Sequence, residues 1–237
     1  MFDLCLVFPR ENRKTLFASS KVLAAASPYW KAQLATKGFN ENMLESLGLK
    51  DDTDEVDSDL DSDENKDETC KLSTIPTHLR TVPIYGSSYK TYHALLTHLY
   101  TSQVNFAPLS SPFPSRSAYL STVSIFRTLT PSLPPPCSPK SLYILSHFLS
   151  IQELSDLALK AYVSSLTLDN ALNELFSKFV QTYEEIREEV LKWVCEKDRW
   201  EVLRKKEKAR EWRERIRGEE GVSTVELEIL LRLTGIE

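Results

Sequence analysis

The chain has 237 residues, of which 41% are hydrophobic and 27% charged, with a formal net charge of −5. That is enough apolar material for a buried core in one large domain or two small ones. The charge is unevenly held: residues 51–68, DDTDEVDSDLDSDENKDE, carry eleven acids and one Lys, a local charge of −10 that leaves about +5 elsewhere, which speaks against a strongly basic nucleic-acid binder.

Cys5, Cys70, Cys137 and Cys195 lie far apart with no CxxC spacing. Neither a disulfide framework nor a zinc motif is visible, so reduced thiols in an intracellular protein are expected. The start, MFDLCLVFPR, lacks the basic segment and long apolar run of a signal peptide. No uncharged apolar run approaches the length of a membrane span, so the expectation is a soluble protein of the cytoplasm and/or nucleus.

Residues 2–8, FDLCLVF, are rich in β-formers, PRENRK follows as a turn, and TLFA at 15–18 returns as the second strand of a hairpin. KVLAAASPYWKAQL, residues 21–34, has helical character but is broken by Ser-Pro. A cap at Ser27 with Pro28 in the first turn of a second helix explains the break, because Pro has no N–H to lose there and its φ is already set. Two short helices then fold back on each other. Ala24, Ala25 and Ala26 permit close approach, Tyr29, Trp30 and Leu34 supply bulk, and the pair ends near Gly38. The acidic segment reads as a disordered, self-repelling loop. Its residues 57–68 space oxygens as a calcium loop does, but Ser62 stands where the sharp turn needs Gly, and no amphipathic helices flank it, so no metal is expected. HLRTVPIYG at 78–86 reads as a third strand, with Pro83 favouring an edge position or a bulge.

From Tyr89 onward, Tyr92, Leu95, Leu96, Leu99 and Tyr100 recur at helical spacing. Residues 107–139 hold eight of the twelve prolines among many serines and read as a linker or long loop outside the core. Beyond them the chain reads as helical to its end. SPKSLYILSHFL opens on a cap at Ser138 and Pro139, IQELSDLALKAYVSSL follows, and LTLDNALNELFSKFVQTY places Leu168, Leu172, Leu175, Phe176 and Phe179 on one face. Residues 184–217 form one long helix or two, with a stripe of Ile186, Val190, Trp193 and Val194 that thins into RKKEKAREWRERIR. There Glu207, Glu211 and Glu214 interleave with the bases, the pattern of a solvated, salt-bridged helix rather than a nucleic-acid surface. The capping box STVE opens the last element, 223–235. Strands mixed with helices, then helices alone, give an α+β fold followed by an all-α extension.

Several of these stretches carry a family resemblance. FDLCLVF and TLFASSKVLAAASPYWKAQLATKGFNE resemble the opening of a BTB/POZ domain: a D-x-x-L-V strand, then L-F-A-x-x-x-V-L-A-A-x-S-P-Y-W, then G-F-x-E. VPIYGSSYKTYHALLTHLYTSQVNF is similar to the family's later strand and helix, and SPKSLYILSHFLSIQELSDLALKAYVSSL resembles its closing helix pair. LTLDNALNELFSKFV looks like the first helices of a BACK-type extension. The resemblance implies a small sheet flanked by helical hairpins over residues 1–166, interrupted by the acidic insert at about 49–75 and the Pro/Ser-rich insert at about 107–139. Residues 167–237 would form the BACK-like helical extension.

The function implied is protein–protein interaction, most sharply an adaptor presenting a client to a cullin-based ubiquitin ligase. Phe39, Asn40 and Glu41 match the family's cullin-contacting turn, with Phe39 filling an apolar pocket and Glu41 pairing with a base. The alternative is a self-associating scaffold or transcriptional co-regulator that meets no cullin. Three departures bear on this. Ser19 and Ser20 stand where the family often has a His, and the sequence opens directly on the first strand, ahead of which many relatives carry a dimerising arm. No Kelch repeats, MATH domain or zinc fingers follow. The helices around Trp193, Trp200 and Trp212 are then the default client surface.

Three hydroxyls are candidate phosphosites: Ser58, followed by Asp59 and Asp61, for an acid-directed kinase, and Ser111 and Thr130, each before Pro, for a proline-directed one. For catalysis there is no GxSxG, P-loop, HExxH or Gly-rich fingerprint, and His78, His93, His98 and His147 have no ligand spacing. No enzyme, cofactor, small-molecule substrate, nucleic acid or membrane is expected.

Overall fold

A computed structural model of the chain describes residues 2–11, 13–35, 79–196 and 198–199. It divides into two compact units, Met1–Ala161 and Tyr162–Glu237, ahead of the boundary read from the sequence at 166. Strands and helices mix in the first, and the described part of the second is helical, an α+β chain. No helix among the described residues is long and apolar enough to cross a membrane.

In the first unit, β1 (Leu4–Phe8) and β2 (Lys14–Ala18) form an antiparallel hairpin with Leu4 opposite Ala18 and Phe8 opposite Lys14. The turn places Arg13 at φ 57°, the left-handed region a side chain tolerates only where a tight reversal demands it. β3 (Arg80–Pro83) lies parallel on the other side of β1, giving the order β2-β1-β3. A parallel neighbour cannot be reached by a tight turn, so a long crossover must intervene. It begins with α1 (Ser20–Ala26) and α2 (Pro28–Ala35). As the central strand, β1 is buried along its whole length, and a strand covered on both faces selects a continuous apolar run. This is why FDLCLVF alternates so imperfectly. Pro83, with no N–H to give a ladder, stands on an edge strand among the described residues.

Helix α3 (Tyr89–Thr101) packs against β2, burying Tyr92, Leu95 and Leu96. Its N-terminus is held twice. Ser88 Oγ accepts the Thr91 N–H at 3.1 Å, and the Tyr89 N–H donates to the Glu11 carboxylate at 2.6 Å. Glu11 belongs to the β1–β2 turn, so a negative charge from the hairpin sits at the positive end of the helix. Lys14 lies 3.9 Å from the same carboxylate and 5.3 Å over the Tyr89 ring.

The segment 107–139, read from the sequence as linker or loop, contains a regular helix, α4 (Arg116–Leu129). Ser115 caps it, accepting the Ala118 N–H, and Tyr119 and Val123 turn inward against Ala107 and Phe113 in a small core of their own. The prolines flank this helix rather than enter it. α5 (Pro139–Phe148), capped by Ser138 as its Ser-Pro sequence implies, packs against α3, and α6 (Gln152–Ser164) follows.

In the second unit, the stretch expected as one apolar face is two short helices, α7 (Ala171–Leu175) and α8 (Lys178–Thr182). The break has a local cause: Ser177 Oγ accepts the Val180 N–H at 3.3 Å and starts a new helix. Both pack on α9 (Glu184–Cys195), which buries Ile186, Val190, Leu191 and Val194. Leu191 takes the core place expected of Trp193, which is half-buried with the Arg199 guanidinium 4.3 Å over its ring. Tyr162 packs edge-on to Phe179 and donates its hydroxyl to Glu174 at 2.8 Å, both residues being buried.

Candidate functional site

The element that leads toward the expected partner-contact turn is the α1–α2 corner. Ser27 is fully buried, and its hydroxyl works in two directions. It accepts the Trp30 N–H at 3.3 Å, the capping bond, and it donates to the Leu149 carbonyl at 2.6 Å. Pro28 follows at the first helical position, where its missing N–H is no loss. Trp30 is 1% exposed, and Tyr29 lies 4.8 Å from Phe148, its phenol pushed up by burial. The far end of α2 is also tied, because Arg80 on β3 donates to the Leu34 carbonyl at 3.4 Å. Both ends of α2 are therefore fixed against the rest of the unit, and the chain leaves it at Ala35.

A second tie fixes the start of α1. The Asp3 carboxylate accepts the Ser20 N–H at 2.7 Å and the Ser20 hydroxyl, while the Ser19 N–H donates to the Tyr100 hydroxyl at 2.8 Å. Desolvation raises the Asp3 pKa, but the two Ser20 bonds outweigh it and hold the group below its ordinary value of 3.8. A carboxylate whose pKa is lower folded than unfolded stabilises the fold at neutral pH and loses that contribution as pH falls through its folded value. Asp3→Asn is expected to cost about 0.5–1 kcal/mol at pH 7, by the usual worth of a charged group at a helix start. The gap in melting temperature from wild type should close as the pH is taken below 3.8; a gap constant from pH 7 to pH 3 would show that the charge plays no part.

Of the expected site residues, Phe39, Asn40, Glu41 and Ser58 lie outside the described residues. Ser111 and Thr130 do not come together with the corner. The Ser111 Oγ is buried with no hydrogen-bond partner, in a half-buried residue. Thr130 ends α4 and gives its hydroxyl to the Phe126 carbonyl at 2.9 Å, next to exposed Pro131.

The feature sequence reading missed is the outward side of α4, where Ile125 and Leu129 are exposed. Tyr119, Val123 and Phe126 at spacings of four and three, behind a Ser115 cap, were the available signal for the helix. Among the described residues, no group of three or more His, Cys, Asp or Glu comes together as a metal site would need. Burial pushes the Cys5 thiol up and the His93 imidazole down, each favouring the neutral form. The chain matches no family model and no curated protein.

Proposed function

We propose that the chain is a protein–protein interaction module of the BTB/POZ type with a BACK-like extension, acting as an adaptor that presents a client to a cullin-based ubiquitin ligase. Phe39, Asn40 and Glu41 are the proposed cullin-contact residues. The observation that supports this reading is the corner: a helical hairpin broken at Ser27-Pro28 follows a β-hairpin, precedes a parallel third strand, and is bonded to the later helices through Leu149.

The test is a calorimetric titration of the folded chain with the N-terminal region of a cullin from the same organism. Binding of about micromolar strength or better is expected, reduced at least tenfold by Glu41→Lys, the usual scale for reversing a charge at an interface rim. Absence of binding by a folded wild-type chain would end the ligase reading. Self-association by sedimentation would then favour the scaffold alternative.

A further inference from the structure

Four hydroxyls in the chain stand directly before proline: Ser27, Ser111, Thr130 and Ser138. The dipeptide alone does not choose among them for a proline-directed kinase; the fold does. A kinase takes up the acceptor together with a few residues on either side, so access is set by how much packing those flanks must give up. Ser27 is fully buried and bonded to the Leu149 carbonyl, and Leu23 and Trp30 on either side of it are core residues. Ser138 is 1% exposed and adjoins a clasp that laces the two ends of the excursion between α3 and α5. The clasp is a bridge between Phe106 and Cys137: the Ala107 N–H donates to the Cys137 carbonyl at 2.9 Å and the Cys137 N–H to the Asn105 carbonyl at 3.0 Å. Asn105 Nδ2 adds a bond to the Pro134 carbonyl at 3.0 Å. Ser111 stands between fully buried Leu109 and Phe113, which packs on Tyr119 in the small core of the excursion. Drawing out any of these three serines disrupts a core or the clasp.

Thr130 differs on both sides. It is itself half-buried, but Arg127, Thr128 and Leu129 before it and Pro131, Ser132 and Leu133 after it are all exposed. Its backbone has already left the helix, at φ −121° and ψ 55°, outside the α region that a following proline disfavours. Its N–H and its hydroxyl both donate to the Phe126 carbonyl, at 3.1 and 2.9 Å, and its own carbonyl takes the Leu133 N–H at 3.1 Å. These bonds belong to the last turn of α4, beyond the inward-facing Tyr119 and Val123.

We propose that Thr130 is the residue of the folded chain that a proline-directed kinase phosphorylates, and that the phosphate loosens the last turn of α4. In the transfer the Thr130 hydroxyl gives its proton to the kinase's base while its oxygen bonds to the γ-phosphorus of a nucleoside triphosphate. The nucleoside diphosphate leaves with the electron pair of the broken P–O bond. The ester oxygen then has no hydrogen to give the Phe126 carbonyl. The phosphate also brings a charge of about −1.5 to −2 to the helix end whose carbonyls already make the field negative. Exposed Arg127, three residues back, offsets part of this, weakly, as an exposed pair at that spacing does. Two losses against one small gain set the direction. The site belongs to a different part of the chain from Phe39–Glu41 and does not rest on the cullin reading.

The test is incubation of the folded full chain with ATP and a purified mitogen-activated protein kinase, with the sites mapped by mass spectrometry, beside short peptides centred on each of the four hydroxyls. The folded chain should take phosphate at Thr130 and Thr130→Val should take none, whereas the peptides of the buried serines, freed of their packing, should accept it. Phosphate on Ser27, Ser111 or Ser138 of the folded chain in place of Thr130 overturns the proposal. So does a folded chain that takes none, whether or not the Thr130 peptide is a substrate. The second readout is amide exchange over residues 127–130. Phosphorylation should speed it about tenfold, the scale of a lost hydrogen bond together with an adverse charge at a helix end. Thr130→Val, which loses the hydroxyl and gains no charge, should fall between the phosphorylated and unmodified chains. Exchange in the phosphorylated chain no faster than in Thr130→Val overturns the loosening.

Discussion

Replacing Ser27 with alanine is expected to destabilise the first unit by about 2–3 kcal/mol, the sum of a lost helix cap and a buried carbonyl left without its donor. The hydroxyl caps α2 and at the same time satisfies Leu149, which is itself fully buried. The comparison is Ser115→Ala, which removes a cap of the same kind from α4, at an exposed position with no such distant bond. That variant should lose only about 0.5–1 kcal/mol. Urea denaturation of both, monitored by tryptophan fluorescence, separates the two contributions. Equal losses would show that the bond from Ser27 to Leu149 adds nothing, and the corner would reduce to a local device.

Tyr162→Phe is expected to cost the second unit about 1.5–3 kcal/mol, the range for a buried charged acceptor losing a donor. Glu174 is 1% exposed, and the Tyr162 hydroxyl approaches its carboxylate at 2.8 Å. The loss should show as faster amide exchange across α7, α8 and α9. Combining Tyr162→Phe with Glu174→Gln should recover part of the stability, because a neutral amide suffers less from burial than a carboxylate. A single variant within about 0.5 kcal/mol of wild type, the spread of surface substitutions, would mean the carboxylate does not depend on this hydroxyl.

How far the fold is legible from sequence depends on whether a signal is local. The Ser27-Pro28 break, the Ser138-Pro139 cap and Pro83 on an edge strand all follow from covalent facts about proline and serine. Each appears where the sequence places it. Helix α4 escapes because Ser and Thr, weak helix formers, fill many of its positions, and prolines crowd both ends. What fixes it is tertiary: Tyr119 and Val123 find Ala107 and Phe113, contacts that no periodicity count can show. Likewise Leu168 through Phe179 looks like one amphipathic face, yet Ser177 finds the Val180 N–H and starts a second helix. At the candidate site, the corner was legible down to its capping residue. Its partner Leu149 was not, because a bond spanning 122 positions leaves no trace in the local pattern.

The lacing of Phe106 to Cys137 makes residues 107–136 a cassette. Entry and exit are neighbours, so the surrounding helices α3 and α5 experience a fixed clasp whatever lies beyond it. Closing a longer loop on such a clasp is cheap, about 0.6 kcal/mol for each doubling of length. A change of length here is therefore expected to cost little while α3 and α5 stay as they are. A lineage carrying this architecture can exchange what the cassette displays without rebuilding its scaffold.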